Sequence, residues 1–256
     1  MKLSIVIPVY NERATLGRVL CAVSEALPAV EKEIVVVDDG STDGTGDWLR
    51  ANFPDGTRRG TRIALTAEGN LSFIDRQSGP AIAVQTLAMD ANRGKGAALR
   101  AGFARATGDI VVIQDADLEY DPQDWAGMYA LIATRQVADV VYGSRFYGNP
   151  HRALYFYHYA ANRFISRLFS MLNDQTLTDV EVCTKMMRIE VLRSLRLSAD
   201  DFGIEIEISS RIARARTWRI YEMGISYYGR TYAEGKKIGW KDGLKALWYL
   251  FKYRFD

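Results

Sequence analysis

The sequence predicts an α/β fold built on an open, mainly parallel sheet with helices packed against it. Three observations predict it. Strand and helix patterns alternate through the first 145 residues. The runs "KEIVVVDD" (32–39) and "DIVVIQD" (109–115) are dense in apolar, β-branched residues, as strands buried on both faces should be. The strand patterns end in polar residues, "PVYNE", "DDGSTDGT", "DADLE" and "GSR". Parallel sheets of this kind bind ligands at the carboxyl ends of their strands, so four polar ends on one edge predict one shared site.

The elements follow in order. "LSIVIPVY" (3–10) is the first strand, and "ERATLGRVLCAVSEAL" (12–27) repeats its apolar residues at helical spacing. After the second strand at 32–39, "STDGTGDWLRANF" (41–53) opens with Ser, Thr and Asp, which cap free helix N–H groups, and reads as a helix. Residues 54–84 are rich in turn formers with short alternating pieces, which predicts an inserted hairpin or flap able to alter the mouth of the site. "GKGAALRAGFARATG" (94–108) is a further helix, and "DVVYGSR" (139–145) is the fourth strand. The whole chain, 1–256, reads as a single domain.

Two later stretches mix aromatic and basic residues. "RALYFYHYAANRFISRLFSML" (152–172) carries Arg152, Arg163 and Arg167, and 239–254 sets Trp240, Leu244, Leu247, Trp248 and Phe251 at helical spacing beside Lys241, Lys245 and Lys252. Basic amphipathic helices with Trp can lie in a membrane interface, and the same pattern packs equally well on a core; both readings stand. No apolar run approaches ~18 residues, so any membrane attachment is expected to be peripheral. "MKLSIVIPVYNE" does not make a signal peptide, and Cys21 and Cys183 form neither a disulfide framework nor a metal spacing. The expected location is cytoplasmic, on the cytoplasmic face of a membrane.

A net charge of +2 gives no nucleic-acid signal. The charge is uneven, with 13 Lys and Arg against 18 Asp and Glu in residues 1–128, and 20 against 13 in residues 129–256. An acidic half followed by a basic half fits a polyanion bound between them, although scattered surface charge gives the same count. Within "VVIQDADLEYDP" (111–122), Asp115, Asp117 and Glu119 stand two apart, on one face if the strand stays extended. Hard cations such as Mg²⁺ or Mn²⁺ want such oxygens, and Mg²⁺ takes one or two carboxylates plus substrate phosphates. Asp121-Pro122 reads as helix-start chemistry. "NRGKGAAL" (92–99) sets Lys95 in a Gly-rich helix start, where anions bind, without the spacing of a Walker A loop. No G-x-G-x-x-G follows the first strand. His151 and His158 have no metal-ligand partner in sequence and read as structural.

"SIVIPVYNE", "VVVDDGSTDGT", "NRGKGAAL" and "QDADLEYDP", in that order, resemble family-two glycosyltransferases of the GT-A fold. "GSRF" (143–146), "LTDVEVCTK" (177–185), "FGIEIEI" (202–208) and "YYGRTYAEGKKIGWKDG" (227–243) resemble the branch of dolichyl-phosphate mannose synthases and bacterial polyprenyl-phosphate glycosyltransferases. The resemblance implies that Pro8, Tyr10, Glu12, Val37 and Asp39 frame the nucleotide's base and ribose. It implies that Asp115, Ala116 and Asp117 line the diphosphate and a Mg²⁺ or Mn²⁺ ion, with Glu119 as a third metal-side ligand where the mannose synthases have Gln. Arg145, Arg230 and Lys236 should meet phosphate oxygens, and Arg163 a phosphate on the acceptor. Thr184 stands where bacterial relatives often have an aromatic.

The reaction then expected is inverting transfer of a sugar from a GDP- or UDP-sugar to a polyprenyl phosphate. Catalysis would rest on Asp117, Arg145, Arg230 and Lys236. An ionised lipid phosphate attacks without a protein base, whereas a hydroxyl acceptor would need one, for which Asp200 or Asp201 stands in the right region. A non-catalytic nucleotide-sugar-binding protein is the remaining alternative.

Overall fold

The computed structural model describes residues 1–75, 79–153, 155–234 and 240–255. The first part of the chain forms β1 (Leu3–Val9), α1 (Leu16–Glu25), β2 (Lys32–Asp38), α2 (Thr45–Asn52), β3 (Thr57–Gly60), β4 (Arg62–Leu65), β5 (Leu71–Ile74) and β6 (Ile82–Ala88). The middle forms α3 (Lys95–Phe103), β7 (Ile110–Ile113), α4 (Trp125–Tyr129), β8 (Val140–Ser144) and α5 (Phe156–Asn173). Then come β9 (Lys185–Arg188), α6 (Ile189–Ser194), α7 (Ile204–Ala215), β10 (Ile220–Gly224) and α8 (Trp240–Phe255).

Eight strands make the main sheet, in the order β10-β8-β9-β7-β1-β2-β6-β3. β7, β1, β2 and β6 run parallel, with Leu3 opposite both Lys32 and Ile110. β1, β2 and β7 are buried along nearly their whole length, as their continuous apolar runs require. β9 runs antiparallel between β7 and β8, and β10 is parallel to β8. The mainly parallel GT-A arrangement expected from the motifs is thus the observed one.

Two expectations change. The 54–84 segment is not one flap. Its ends belong to the main sheet, β6 parallel to β2 and β3 antiparallel to β6, and only β4 and β5 form a separate hairpin. That hairpin buries Ile63 and Leu71. It is tied to α1 by Arg62–Glu25 and by the Ile63 N–H on Ser24 Oγ, and to α2 by the Leu71 N–H on Asn52 Oδ1. The second change lies at the acids. β7 ends at Ile113, and Leu118 takes φ +64°, so 115–119 is a turn and its alternate residues do not share a strand face.

α8 buries Ala246, Leu250 and Tyr253 and exposes Leu244, Trp248, Phe251 and Phe255. α5 buries Ile165 and Phe169 and exposes Phe156, Tyr157, Phe164 and Met171. Each helix therefore packs on the core, as one of the two sequence readings expects, and also presents apolar side chains outward. Among the described residues no helix is long and apolar enough to cross a membrane.

Candidate active site

The site is assembled from loops at the carboxyl ends of β1, β2 and β7. Pro8 and Val37 lie side by side on β1 and β2. Beyond them, Asn11 (φ +54°) accepts from Thr42 N–H at 2.7 Å, and its own N–H donates to Ser41 Oγ, so the first two loops are tied together. Asp39 is buried, and its two oxygens accept the N–H groups of Arg93 and Gly94, each at 2.8 Å. Expected at the base and ribose, Asp39 here holds the Gly-rich loop that carries Lys95.

Asp115 and Asp117 follow β7. Lys95, at the start of α3, sits 2.8 Å from Asp115 Oδ1 and 3.0 Å from Glu205 Oε1. Burial opposes the charge on both Lys95 and Asp115, but each outweighs it for the other: the Asp115 carboxyl lies below its ordinary value and the Lys95 ammonium well above. Burial, then the carboxylates of Asp115 and Glu119, push Asp117 up to about 7 against the pull of Arg230. Ala116 is buried between the two acids.

Glu119, expected as a third metal-side ligand, is engaged here by protein groups. Its Oε1 accepts the Arg230 N–H at 2.7 Å, its Oε2 accepts the Tyr227 hydroxyl at 3.0 Å, and its carbonyl accepts the Tyr228 N–H. The left-handed turn at Leu118 sends it to the 227–230 loop, which it fastens to the acids. Arg230 brings Nη2 to 3.0 Å from Asp117 Oδ2 and 3.1 Å from Glu12 Oε1, and the guanidinium is held strongly protonated by Asp117 and Glu12 despite burial. Glu12, Asp117 and Glu119, given separate roles by the sequence, thus meet on Arg230. Among the described residues no three carboxylate, thiol or imidazole groups converge as a cation cage.

Arg145, after β8, is clamped by buried Asp179, with Nε to Oδ2 at 2.7 Å and Nη2 to Oδ1 at 2.6 Å. Its guanidinium lies 5.5 Å from the Tyr227 ring, whose hydroxyl reaches Glu119, so a single aromatic links Arg145 to the acids. Arg163 on α5 stacks at 5.2 Å over Phe146, which Arg145 also approaches at 5.9 Å. The two expected acceptor-side arginines therefore share Phe146. Lys236 lies outside the described residues.

The Glycosyl transferase family 2 model matches residues 4–69 and 81–196, which include the acids, Lys95, Arg145 and Asp179. The chain belongs to glycosyl transferase family 2. Among curated proteins it is 26% identical over 261 residues to the dolichol-phosphate mannosyltransferase of Pyrococcus furiosus, covering 99% of this chain and 64% of that protein. It is 28% identical over 252 residues to the undecaprenyl-phosphate mannosyltransferase of Micrococcus luteus, covering 93% of this chain and 88% of that one. The chain thus spans less than two thirds of the Pyrococcus protein's length. In fold it is similar to the glucosyl-3-phosphoglycerate synthase of Mycobacterium tuberculosis, solved with Mn²⁺, UDP and product (TM-score 0.66, 19% identity, 99% of this chain and 80% of that one).

In this family 2 chain the donor set suits a hard dication. Asp115 and Asp117 offer oxygen atoms two residues apart in a half-buried turn, and burial together with the neighbouring carboxylates of Asp115 and Glu119, which pushes Asp117 to about 7, is a penalty that a shared dication would relieve. Sequence reasoning assigned no role to three further groups. Asp179 clamps Arg145. Glu181 keeps a buried Oε2 without a hydrogen bond, and burial pushes its carboxyl to about 7 against Arg145. Lys185, without exposure, pairs with Glu205 at 2.5 Å. All three fall in or beside "LTDVEVCTK", so the motif was visible and the pairings, which depend on packing, were not. Asp200 pairs with Arg100 at 2.5 Å, and Asp201 accepts the Gly203 N–H. His151 Nδ1 lies 3.3 Å from Gly148 O and the His158 ring packs on Tyr155.

Proposed function

We propose that this family 2 protein moves a sugar from a GDP- or UDP-sugar to a polyprenyl phosphate, with inversion at the transferred carbon and with a divalent cation. The observation that carries the reading is the meeting of two carboxylates, Asp115 and Asp117, with Arg230 at 3.0 Å and with Arg145 across the Tyr227 ring. Such a mixture of acids and guanidinium groups suits a diphosphate on one side and a second phosphate on the other. The printed names of the Pyrococcus and Micrococcus relatives, both mannosyltransferases of a lipid phosphate, support it.

Asp115 and Asp117 would hold Mg²⁺ or Mn²⁺, which supplies Lewis-acid stabilisation of the charge that grows on the leaving diphosphate. Arg230, already against Asp117, would share that charge. Arg145, with Asp179 fixing its plane, and Arg163, stacked on Phe146, would orient the acceptor phosphate. An ionised phosphate needs no deprotonation, so no residue need act as base. Asp200 and Asp201, the groups a hydroxyl acceptor would call on, are engaged by Arg100 and by the Gly203 N–H, which favours the phosphate reading. The outward side chains of α5 and α8 would lie against the bilayer that carries the acceptor, with attachment peripheral and on the cytoplasmic face.

The test is a transfer assay with Mg²⁺ or Mn²⁺, a panel of nucleotide-sugars, and either a short polyprenyl phosphate or the matching polyprenol. Transfer to the phosphate alone is expected. Transfer to the alcohol would move the enzyme to the hydroxyl-acceptor class and make Asp201, Asp200 and Glu181 the residues to replace. Turnover with neither, across all donors, would leave the non-catalytic binding reading.

A further inference from the structure

Asp115, Lys95, Glu205 and Lys185 form a row of alternating charges that runs from the acids into the core. The steps are 2.8 Å from Asp115 Oδ1 to Lys95 Nζ, 3.0 Å from Lys95 Nζ to Glu205 Oε1, and 2.5 Å from Glu205 Oε2 to Lys185 Nζ. Three elements deliver it: Lys95 opens α3, Glu205 lies in the first turn of α7, and Lys185 opens β9. Gly94 and Gly96 press the start of α3 against the backbone of 199–201, so closely that a Cβ on either would collide with a carbonyl. That contact sets Lys95 beside Glu205.

The two partners of Lys95 are not equivalent. Lys95 Nζ lies nearer Asp115, at 2.8 Å, than Glu205 Oε1, at 3.0 Å, and that Glu205 oxygen is buried and accepts no hydrogen bond. Lys185 anchors the far end, donating to the Val182 carbonyl as well as pairing with Glu205. A dication that takes Asp115 deprives Lys95 of its first partner at a site only 13% exposed. An ammonium left buried without a counter-ion is costly, and that cost would set itself against cation binding. Glu205, already in contact, removes it.

We propose that Glu205 is a positioning residue of the donor site, the standby partner that holds Lys95 when Asp115 turns to the cation of an incoming nucleoside diphosphate, with Lys185 as its buried anchor. The proposal rests on the reading of Asp115 as a cation ligand. Without Glu205, Lys95 stays locked on Asp115 and the cation must displace it unaided.

The experiment measures Mn²⁺ binding to the full chain, by electron paramagnetic resonance and by calorimetry, with GDP or UDP as the companion ligand and no turnover involved. The wild type is expected to bind Mn²⁺ with one of the two nucleotides; binding with neither would overturn the cation reading and this proposal with it. Given wild-type binding, Glu205→Gln is expected to weaken it about tenfold, a coupling usual between charges in contact. On a Lys95→Met background, where nothing locks Asp115, Glu205→Gln should cause no further loss. The double variant Lys185→Met/Glu205→Gln removes the buried pair together and guards against misfolding; it should keep a near-native urea midpoint and still bind about tenfold more weakly. Wild-type affinity in Glu205→Gln or in the double variant, or an equal loss with and without Lys95, would overturn the proposal and leave Glu205 a purely structural acid.

Discussion

Replacing Asp179 by Asn tests how Arg145 is held. Asp179 has no exposure, and it accepts from the Arg145 N–H at 3.0 Å, from Nε at 2.7 Å and from Nη2 at 2.6 Å. Burial works against the Arg145 charge, and Asp179 is the strongest influence restoring it. Asn keeps the shape and one oxygen but removes the charge, so a guanidinium remains buried without its counter-ion. Breaking a buried pair from one side costs about 3 kcal/mol or more. For a chain of this size that is a fall in Tm of roughly 6–12 °C. Urea unfolding and thermal scans read it directly. Arg145→Met/Asp179→Asn removes both charges and should recover most of the loss, since no buried charge is then left without its partner. A loss below about 1 kcal/mol in Asp179→Asn, or a double variant as unstable as the sum of the singles, would refute the view that this clamp is a dry, tightly coupled pair.

Asp117→Asn should abolish turnover, by about a thousandfold or more, with the fold intact, because it removes an oxygen ligand from the diphosphate side; full activity in steady-state assays would sink the assignment. Glu119→Gln weakens two hydrogen bonds to a charged group, worth about 1.5–3 kcal/mol each, and should free the 227–230 loop, read as faster hydrogen exchange at the Arg230 amide. Lys32 is buried against the Ser24 carbonyl, and burial lowers its ammonium to about 8. The unfolded chain therefore binds the extra proton between about 8 and the ordinary 10.5, so stability rises with pH across that window, by at most about 1.4 kcal/mol per pH unit. Lys32→Met should flatten the slope and raise stability at pH 7 in urea titrations. Trp248→Glu on the outer side of α8 should lower binding to anionic vesicles in a flotation assay and leave the Tm within a degree or two, since Trp248 is more than half exposed.

The parallel core was legible because β1, β2 and β7 are runs of β-branched residues that no solvent-facing strand would carry. β6 escaped because its "IAVQTLA" follows Gly79-Pro80 and alternates like an edge piece, although it pairs with β2 along its full length. β9, "KMMR", has four residues and no period to read. At the site, the sequence named Asp115, Asp117, Glu119, Lys95, Arg145 and Arg230, and the structure brings them to one edge. What it could not name were the pairings. Glu119 looked like a third metal ligand because spacing along an extended strand put it there, and one left-handed residue, Leu118, moved it to another task. Asp179 and Glu205 gain their roles from partners 34 and 20 residues away, a relation fixed by packing and not by local pattern.

The reversed strand β9 divides the sheet by order of synthesis. β1, β2, β3, β6 and β7 lie within residues 3–113 and pair among themselves, so this part of the sheet can form while later residues are still being made. Among the described residues β8 has no ladder with β7, and β9 stands between them in the sheet. Until Lys185–Arg188 arrives, β8 has neither of its sheet neighbours, since β10 is made later still, and the residue that begins the seam, Lys185, is also the buried end of the row of charges behind Asp115. The strand that joins the two parts of the sheet therefore also carries the buried cation at the far end of that row, so one short segment serves both the seam and the charges.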